Sequence, residues 1–299
     1  MRKKVRDDAF RAMVAAVLGT LVFEILYFGL FAEWLGRYWI FRFHLPVIVP
    51  FFGVIAIISI NFYEYHGFGP QEGIIRHGAH KPYVALTFDD GPNPEFTSRI
   101  LDILAEKNVQ ATFFMVGRHV LKYPQIARRV VAEAHEVGNH TFSHRDLMTA
   151  SRKTLLKEVY DADDAISGTL GIRTRLFRPP RGLISSAGRQ VLAENGFKIA
   201  LWTVSAQDWR RDAPKVVVRR ITRHARPGGI ILFHDGGALL RSEGGSREST
   251  IEALPAVIDE LRSRGYEFVG LSELIADAEY AGEQSLLETP ARSGAGQEA

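Results

Sequence analysis

Two pairs of side chains in this sequence are of types and spacings that can do chemistry. Asp89 and Asp90 close the apolar run Tyr83–Phe88 and are followed at once by Gly91-Pro92. Adjacent carboxylates at the end of a strand repel each other unless a cation or hydrogen bonds compensate. An Asp-Gly-Pro run is also ordinary turn chemistry, so this pair alone decides nothing. The second pair is His140 and His144, in His-Thr-Phe-Ser-His. Histidines at i and i+4 share one face of a helical turn, where both rings reach one ion. Zinc-peptidase helices place a Glu base directly after the first His, but Thr141 stands there, so a base must come from elsewhere. Most histidine pairs at this spacing bind nothing. Two imidazoles combined with Asp90 are more specific, because they form a His-His-Asp set with positions left open for water.

Three weaker fragments follow. Arg178-Pro179-Pro180-Arg181-Gly182 comes after a short strand, with prolines fixing the backbone. The run Trp202 to Trp209 ends another strand with Asp208 beside an aromatic ring. Ile231-Leu232-Phe233-His234-Asp235 ends a third with a histidine. Each alone reads equally well as a turn or a core residue.

The elements that must position these groups alternate between strand and helix. Short apolar runs at 83–88, 111–116, 176–177, 199–204, 229–233 and 268–270 predict strands, and 97–107, 124–136, 154–170 and 255–264 predict helices. Val137-Gly138-Asn139 reads as the end of the 124–136 helix, placing the histidines on a turn beyond it. Strands spaced by helices argue for an α/β architecture with parallel strands, whose C-terminal ends collect catalytic groups. The expected fold is a partial or distorted (β/α) barrel over 81–275, with 61–81 as linker and 276–299 as a polar tail.

Composition narrows the function. The 299 residues carry 37 basic and 34 acidic side chains, net +3, without a dense basic stripe, which argues against nucleic acid. There are no cysteines, so thiolate metal sites and cysteine nucleophiles are excluded. Residues 1–80 read as a membrane anchor and linker. Ala12–Ala32 is a hydrophobic run interrupted by one charge, Glu24, and Leu45–Phe62 carries no charge. Either run approaches the length of a membrane span, which gives one or two transmembrane helices. Trp34, Tyr38, Trp39, Tyr63 and Tyr65 sit beside them as interfacial aromatics do. The basic start (Arg2, Lys3, Lys4, Arg6) favours a cytoplasmic N-terminus, and the number and direction of spans stay open.

In order and spacing, the five fragments resemble the polysaccharide deacetylase family, the NodB-homology or carbohydrate esterase family 4 domain, over about Lys81 to Ile275. The resemblance implies a distorted (β/α) barrel, one divalent metal ion (zinc first, with cobalt, nickel or manganese as alternatives) and removal of N-acetyl groups from a carbohydrate. It matches Asp89 to the catalytic base and Asp90, His140 and His144 to the metal ligands. Arg178 matches the arginine that tethers the base. Asp208 matches the acid partnering the catalytic histidine, and His234 that histidine, the general acid. The backbone N–H of Arg181 matches an oxyanion donor, and Trp209 and Leu232 match the lining of the acetyl pocket. The implied partner is an acetylated glycan or glycolipid, with the domain outside the cytoplasm and no protein partner.

Two departures stand out. Ser205 replaces the first acid of the family's D-x-x-D-W motif, and Arg181 stands where an aromatic is common. With Arg210 and Arg211, Arg181 would form a basic rim suited to an anionic substrate. Three other readings compete: a deacetylase or deformylase of a lipid-linked sugar, a non-haem iron oxygenase using the same His-His-carboxylate triad, and an inactive carbohydrate-binding domain. The acid–base set of Asp89, Arg178 and His234 disfavours the last two.

Overall fold

The computed structural model describes residues 51–56, 59, 73–79, 81–210, 212–237 and 245–276. Residues 1–62 form a unit of their own, of which the helical residues 51–56 and 59 are described. The apolar run 12–32, most of 45–62 and the tail from 277 lie outside the described residues. Among those described, no helix is long and apolar enough to cross a membrane.

The second unit alternates strands and helices in chain order. Its strands are β1 (Ile74–Ile75), β2 (Tyr83–Asp89), β3 (Thr112–Met115), β4 (Glu136–Asn139), β5 (Leu176–Phe177), β6 (Lys198–Ala200), β7 (Val204–Ser205), β8 (Gly229–His234) and β9 (Glu267–Phe268). The helices are α1 (Phe96–Lys107), α2 (Gly117–Lys122), α3 (Pro124–Ala132), α4 (Arg152–Leu170), α5 (Ser186–Glu194), α6 (Pro214–His224) and α7 (Glu248–Ser263). The paired strands form one parallel sheet in the order β1-β6-β5-β4-β3-β2-β8-β7, with β9 against the start of β2. No pairing joins β1 to β7 among the described residues. The result is a parallel half-barrel, the coarser form of the expected fold.

Strand alternation divides the core and aims the site. Val84, Leu86 and Phe88 of β2 join the cluster packed against the helices, as do Phe113, Ile231 and Phe233 of the neighbouring strands. Phe88 stacks between Phe113 and Phe233 at ring distances of 5.0 and 5.6 Å. Ala85, Phe114, Ile230 and Leu232 line the barrel interior instead. With a period of two, Thr87 and Asp89 fall on that same interior face, as does His234 of β8. Asp89 and His234 are register partners across β2 and β8. The fold therefore brings two strand ends, 145 residues apart in sequence, to one rim.

Several expectations are corrected. The 124–136 helix stops at Ala132, and Glu136–Asn139 is a strand pairing β3 and β5. Ala134 takes a positive φ of 60°, which turns the chain between them. The expected 61–81 linker contains β1, and the expected strand 199–204 is two strands with Leu201–Thr203 between them. The last helix begins at Glu248, and Pro255 sits inside it rather than at its start. Helices α2, α5 and α6 were not anticipated. Helix α5 is announced only by Ser185, whose hydroxyl accepts from Gly188 N–H at the helix start.

Gly138 in β4 tests how tightly this interior is built. A Cβ there would lie 2.5 Å from Cε1 of Phe114, whose ring lies 4.0 Å beneath the guanidinium of Arg178. Gly138→Ala should destabilise the fold by about 1–3 kcal/mol, the usual cost of overpacking a filled interior. Thermal unfolding would show this, and an unchanged midpoint would mean the interior has slack the packing does not suggest.

Candidate active site

Asp90, His140 and His144 converge. One ligand atom from each lies within 4.8 Å of the others, and Asp90 Oδ1 is 3.4 Å from His140 Nε2 and 3.0 Å from His144 Nε2. These separations are close to the donor–donor edges of a tetrahedron with bonds of about 2.0–2.2 Å. His140 Nδ1 lies 2.7 Å from the carbonyl of Arg178. A carbonyl can only accept, so Nδ1 carries a proton, and in the neutral ring Nε2 keeps the lone pair that a metal requires. The donor set thus fits a divalent cation.

The histidine pair is not helical. Thr141 and His144 adopt positive φ of 66° and 60°, and the segment is a loop running out from β4. Helix α4 fixes its shape. Glu158 takes the backbone N–H of Ser143 at 2.9 Å and its hydroxyl at 2.7 Å, and the Glu158 carbonyl accepts from Phe142 N–H. Asn139 donates to the Val159 carbonyl and accepts from Thr141 N–H. The i, i+4 spacing predicts a helical turn, and a loop brings the two rings together instead.

Asp90 is also held in a left-handed conformation, φ 78°, with His119 Nδ1 2.8 Å from its carbonyl. Burial alone would push its carboxyl up. Hydrogen bonds from His140 and His144 outweigh this and hold it well below the usual carboxylate range. His140 shows the converse: burial opposes its charge, but Asp89 and Asp90 raise its pKa overall.

Asp89 is held from the other side. Its Oδ2 is 3.9 Å from His140 Nε2, farther than Asp90, while Oδ1 accepts from Arg178 Nη1 at 2.7 Å. Arg178 is fully buried and also donates to Thr87 Oγ1, the Ala200 carbonyl and the Leu201 carbonyl, at 2.8 to 3.0 Å.

His234 and Asp208 form a third group. His234 Nδ1 lies 2.8 Å from Asp208 Oδ1, and Asp208 is fully buried. Burial raises the Asp208 carboxyl, but the His234 charge and hydrogen bond bring it down to about 2. Burial lowers His234, and Asp208 more than offsets that, so its pKa is raised. The Trp209 ring stands edge-on to His234 at 5.3 Å. Leu232 lies in the barrel interior, two residues before His234. Arg181 has a left-handed φ of 58°, and Ser205 is buried with its Oγ accepting from Gln207 N–H. The basic rim is less exposed in charge than the sequence suggests. Arg181 lies 3.3 Å from Asp146, Arg210 lies 4.0 Å from Asp212, and Arg211 falls outside the described residues.

The profile of the polysaccharide deacetylase family matches residues 76–200. A chitooligosaccharide deacetylase of Sinorhizobium fredii is 40% identical over 195 residues, covering 64% of this chain and 91% of the relative. A peptidoglycan-N-acetylglucosamine deacetylase of Bacillus cereus is 35% identical over 194 residues, covering 64% and 87%. Among solved structures, the Bc1960 peptidoglycan N-acetylglucosamine deacetylase superposes with a TM-score of 0.65 at 32% identity, covering 68% of this chain and 93% of that one. This chain belongs to the polysaccharide deacetylase family. It is a deacetylase-like hydrolase acting on carbon–nitrogen bonds. A CE4 family pseudoenzyme of Bacillus anthracis is also similar, with a TM-score of 0.62 at 30% identity over 71% of each chain. Likeness of fold therefore does not by itself fill the site, and the side chains above must be argued individually.

Sequence reasoning missed the groups that hold the site: His119, Glu158, Thr97 and Asp235. Asp235 follows His234, and its backbone N–H donates to the Asp89 carbonyl. Its Oδ2 accepts from Thr97 at 2.6 Å, while Oδ1 is buried with no hydrogen-bond partner among the described residues. Burial pushes this carboxyl up to about 7, with Asp90 and Asp89 adding to the effect and the Thr97 hydrogen bond opposing it. The folded state thus holds a proton that the unfolded chain releases near pH 4. Folding stability should therefore fall as pH rises from about 4 to about 7 through this group. Asp235→Asn should remove that part of the pH dependence, read from denaturant unfolding at several pH values. An identical pH slope in the variant would mean Asp235 is ionised in the fold.

Proposed function

We propose that this protein is a metal-dependent N-deacetylase of an acetylated cell-wall or surface glycan. The observation that carries the reading is the division between two adjacent acids. Asp90 faces the Nε2 atoms of two imidazoles, and Asp89 faces a buried arginine. In this reading Asp90, His140 and His144 hold one divalent cation, and two nitrogens with one oxygen suit zinc, with cobalt, nickel and manganese behind it. When bound, such a cation supplies Lewis acidity, which polarises an amide carbonyl and makes a neighbouring water easier to deprotonate.

The chain's own groups supply the rest. Asp89, oriented by Arg178, takes the proton of the attacking water. The backbone N–H of Arg181 donates to the developing oxyanion. His234, kept protonated by Asp208, gives its proton to the departing amine. Trp209 and Leu232 receive the acetyl methyl group, which the interior position of Leu232 and the contact of Trp209 with His234 support. Relatives named for chitooligosaccharide and peptidoglycan favour a glycan over a lipid-linked sugar. The pairing of Arg181 with Asp146 removes part of the argument for an anionic substrate.

Acetate release from chito-oligosaccharide and from peptidoglycan, measured beside metal content, tests the assignment. Asp89→Asn should keep the metal and lose about 10²- to 10⁴-fold in rate, the usual contribution of a positioned base. His140→Ala or His144→Ala should lose the metal. Wild-type turnover in Asp89→Asn would refute its role as base.

The apolar runs 12–32 and 45–62 support attachment to a membrane, and the glycan substrates of the relatives support an extracytoplasmic catalytic domain. The full chain should resist alkaline extraction from membranes, and protease added to intact cells should cleave the domain. A freely soluble full chain would contradict the anchor, and protection from external protease would contradict the sidedness.

A further inference from the structure

The Asp208–His234 pair is held by a helix that its own sequence motifs do not include. Asp208 Oδ1 faces the imidazole, and Oδ2 accepts the backbone N–H of His234 at 2.8 Å and the hydroxyl of Thr250 at 2.6 Å. Thr250 is fully buried in the first turn of α7. Its neighbour Ser249 donates to the Asp208 carbonyl at 3.3 Å. Arg247, just before the helix, is 2% exposed and donates Nε to the Gly236 carbonyl and Nη2 to the Gly237 carbonyl, both at 2.8 Å. The start of α7 thus grips the carboxylate through Thr250 and the backbone beyond His234 through Arg247.

If packing alone set residue 250, valine would fill the same volume without burying a hydroxyl. The short bond to an ionised carboxylate gives the hydroxyl a specific task, since such charge-assisted bonds fix geometry as well as adding energy. A carboxylate held by Thr250 on one oxygen presents the other to Nδ1 at a fixed angle, which holds the imidazole of His234 in one orientation.

We propose that Thr250 is a positioning residue for the Asp208–His234 pair, with Arg247 fixing the strand end it acts on. The inference rests on the reading of His234 as the acid. It is tested by acetate-release kinetics on chito-oligosaccharide with Thr250→Val and Thr250→Ser, each also made in a His234→Ala background. Thr250→Val should lower kcat by about tenfold or more, the scale of one lost hydrogen bond to a charged group. KM and metal content should be unchanged, and Thr250→Ser, which keeps the hydroxyl, should restore the rate. In the His234→Ala background, Thr250→Val should cost nothing further, because the residue acts only through the imidazole. A rate within twofold of wild type for Thr250→Val overturns the proposal, as does an undiminished loss in the His234→Ala background. Loss of metal together with activity overturns it too, since that marks a general structural role. If His234→Ala alone keeps full activity, the assignment of the acid fails first.

Discussion

The buried guanidinium of Arg178 is the constraint on which the site depends. Its four hydrogen bonds reach Thr87 and Asp89 of β2, Ala200 at the end of β6, and Leu201 beyond it. Its own carbonyl fixes His140 Nδ1, and its backbone N–H donates to Asn139 at the end of β4. Burial lowers its pKa, and the charge and hydrogen bond of Asp89 oppose that. Removing one partner of such a pair leaves an uncompensated buried charge, which typically costs about 3–5 kcal/mol. One residue therefore sets the orientation of the proposed base, the tautomer of a proposed ligand and the spacing of three strand ends.

Around that constraint, adjacent residues of the same type acquire different environments. Asp89 continues the strand and faces the barrel interior, while Asp90 breaks into a left-handed turn and swings to the imidazoles. The left-handed conformations of Thr141 and His144 are unfavourable for residues with a Cβ, and the contacts from α4 through Glu158 and Val159 compensate. On the far side, α7 plays the matching part for Asp208. Two helices thus clamp two loops, and the sheet supplies only the rim between them.

What could be read in the sequence follows from range. Strands β2 and β8 are continuous apolar runs buried on both sides, so their extent and the residues that end them were plain. The residues proposed for the site could be picked out because each belongs to a recognisable fragment at or just beyond a strand end. The clamps were not, because Glu158, Asp235, Thr97 and Thr250 act over long sequence separations and carry no local pattern of their own. The boundary between α3 and β4 was misread because Val137-Gly138-Asn139 is too short for its period to show, and the turn at Ala134 uses no glycine. The histidine spacing suggested a helix because i, i+4 is a helical signature, whereas here two left-handed residues bring the same rings together.

The central claim is that Asp90 binds metal with His140 and His144 while Asp89 stays outside the coordination sphere. Anomalous diffraction at the zinc edge from crystals of the zinc-loaded catalytic domain addresses it directly. One peak is expected at about 2.0–2.2 Å from Asp90, His140 Nε2 and His144 Nε2, with Asp89 still on Arg178. A peak bonded to Asp89, or none between the histidines, would contradict it.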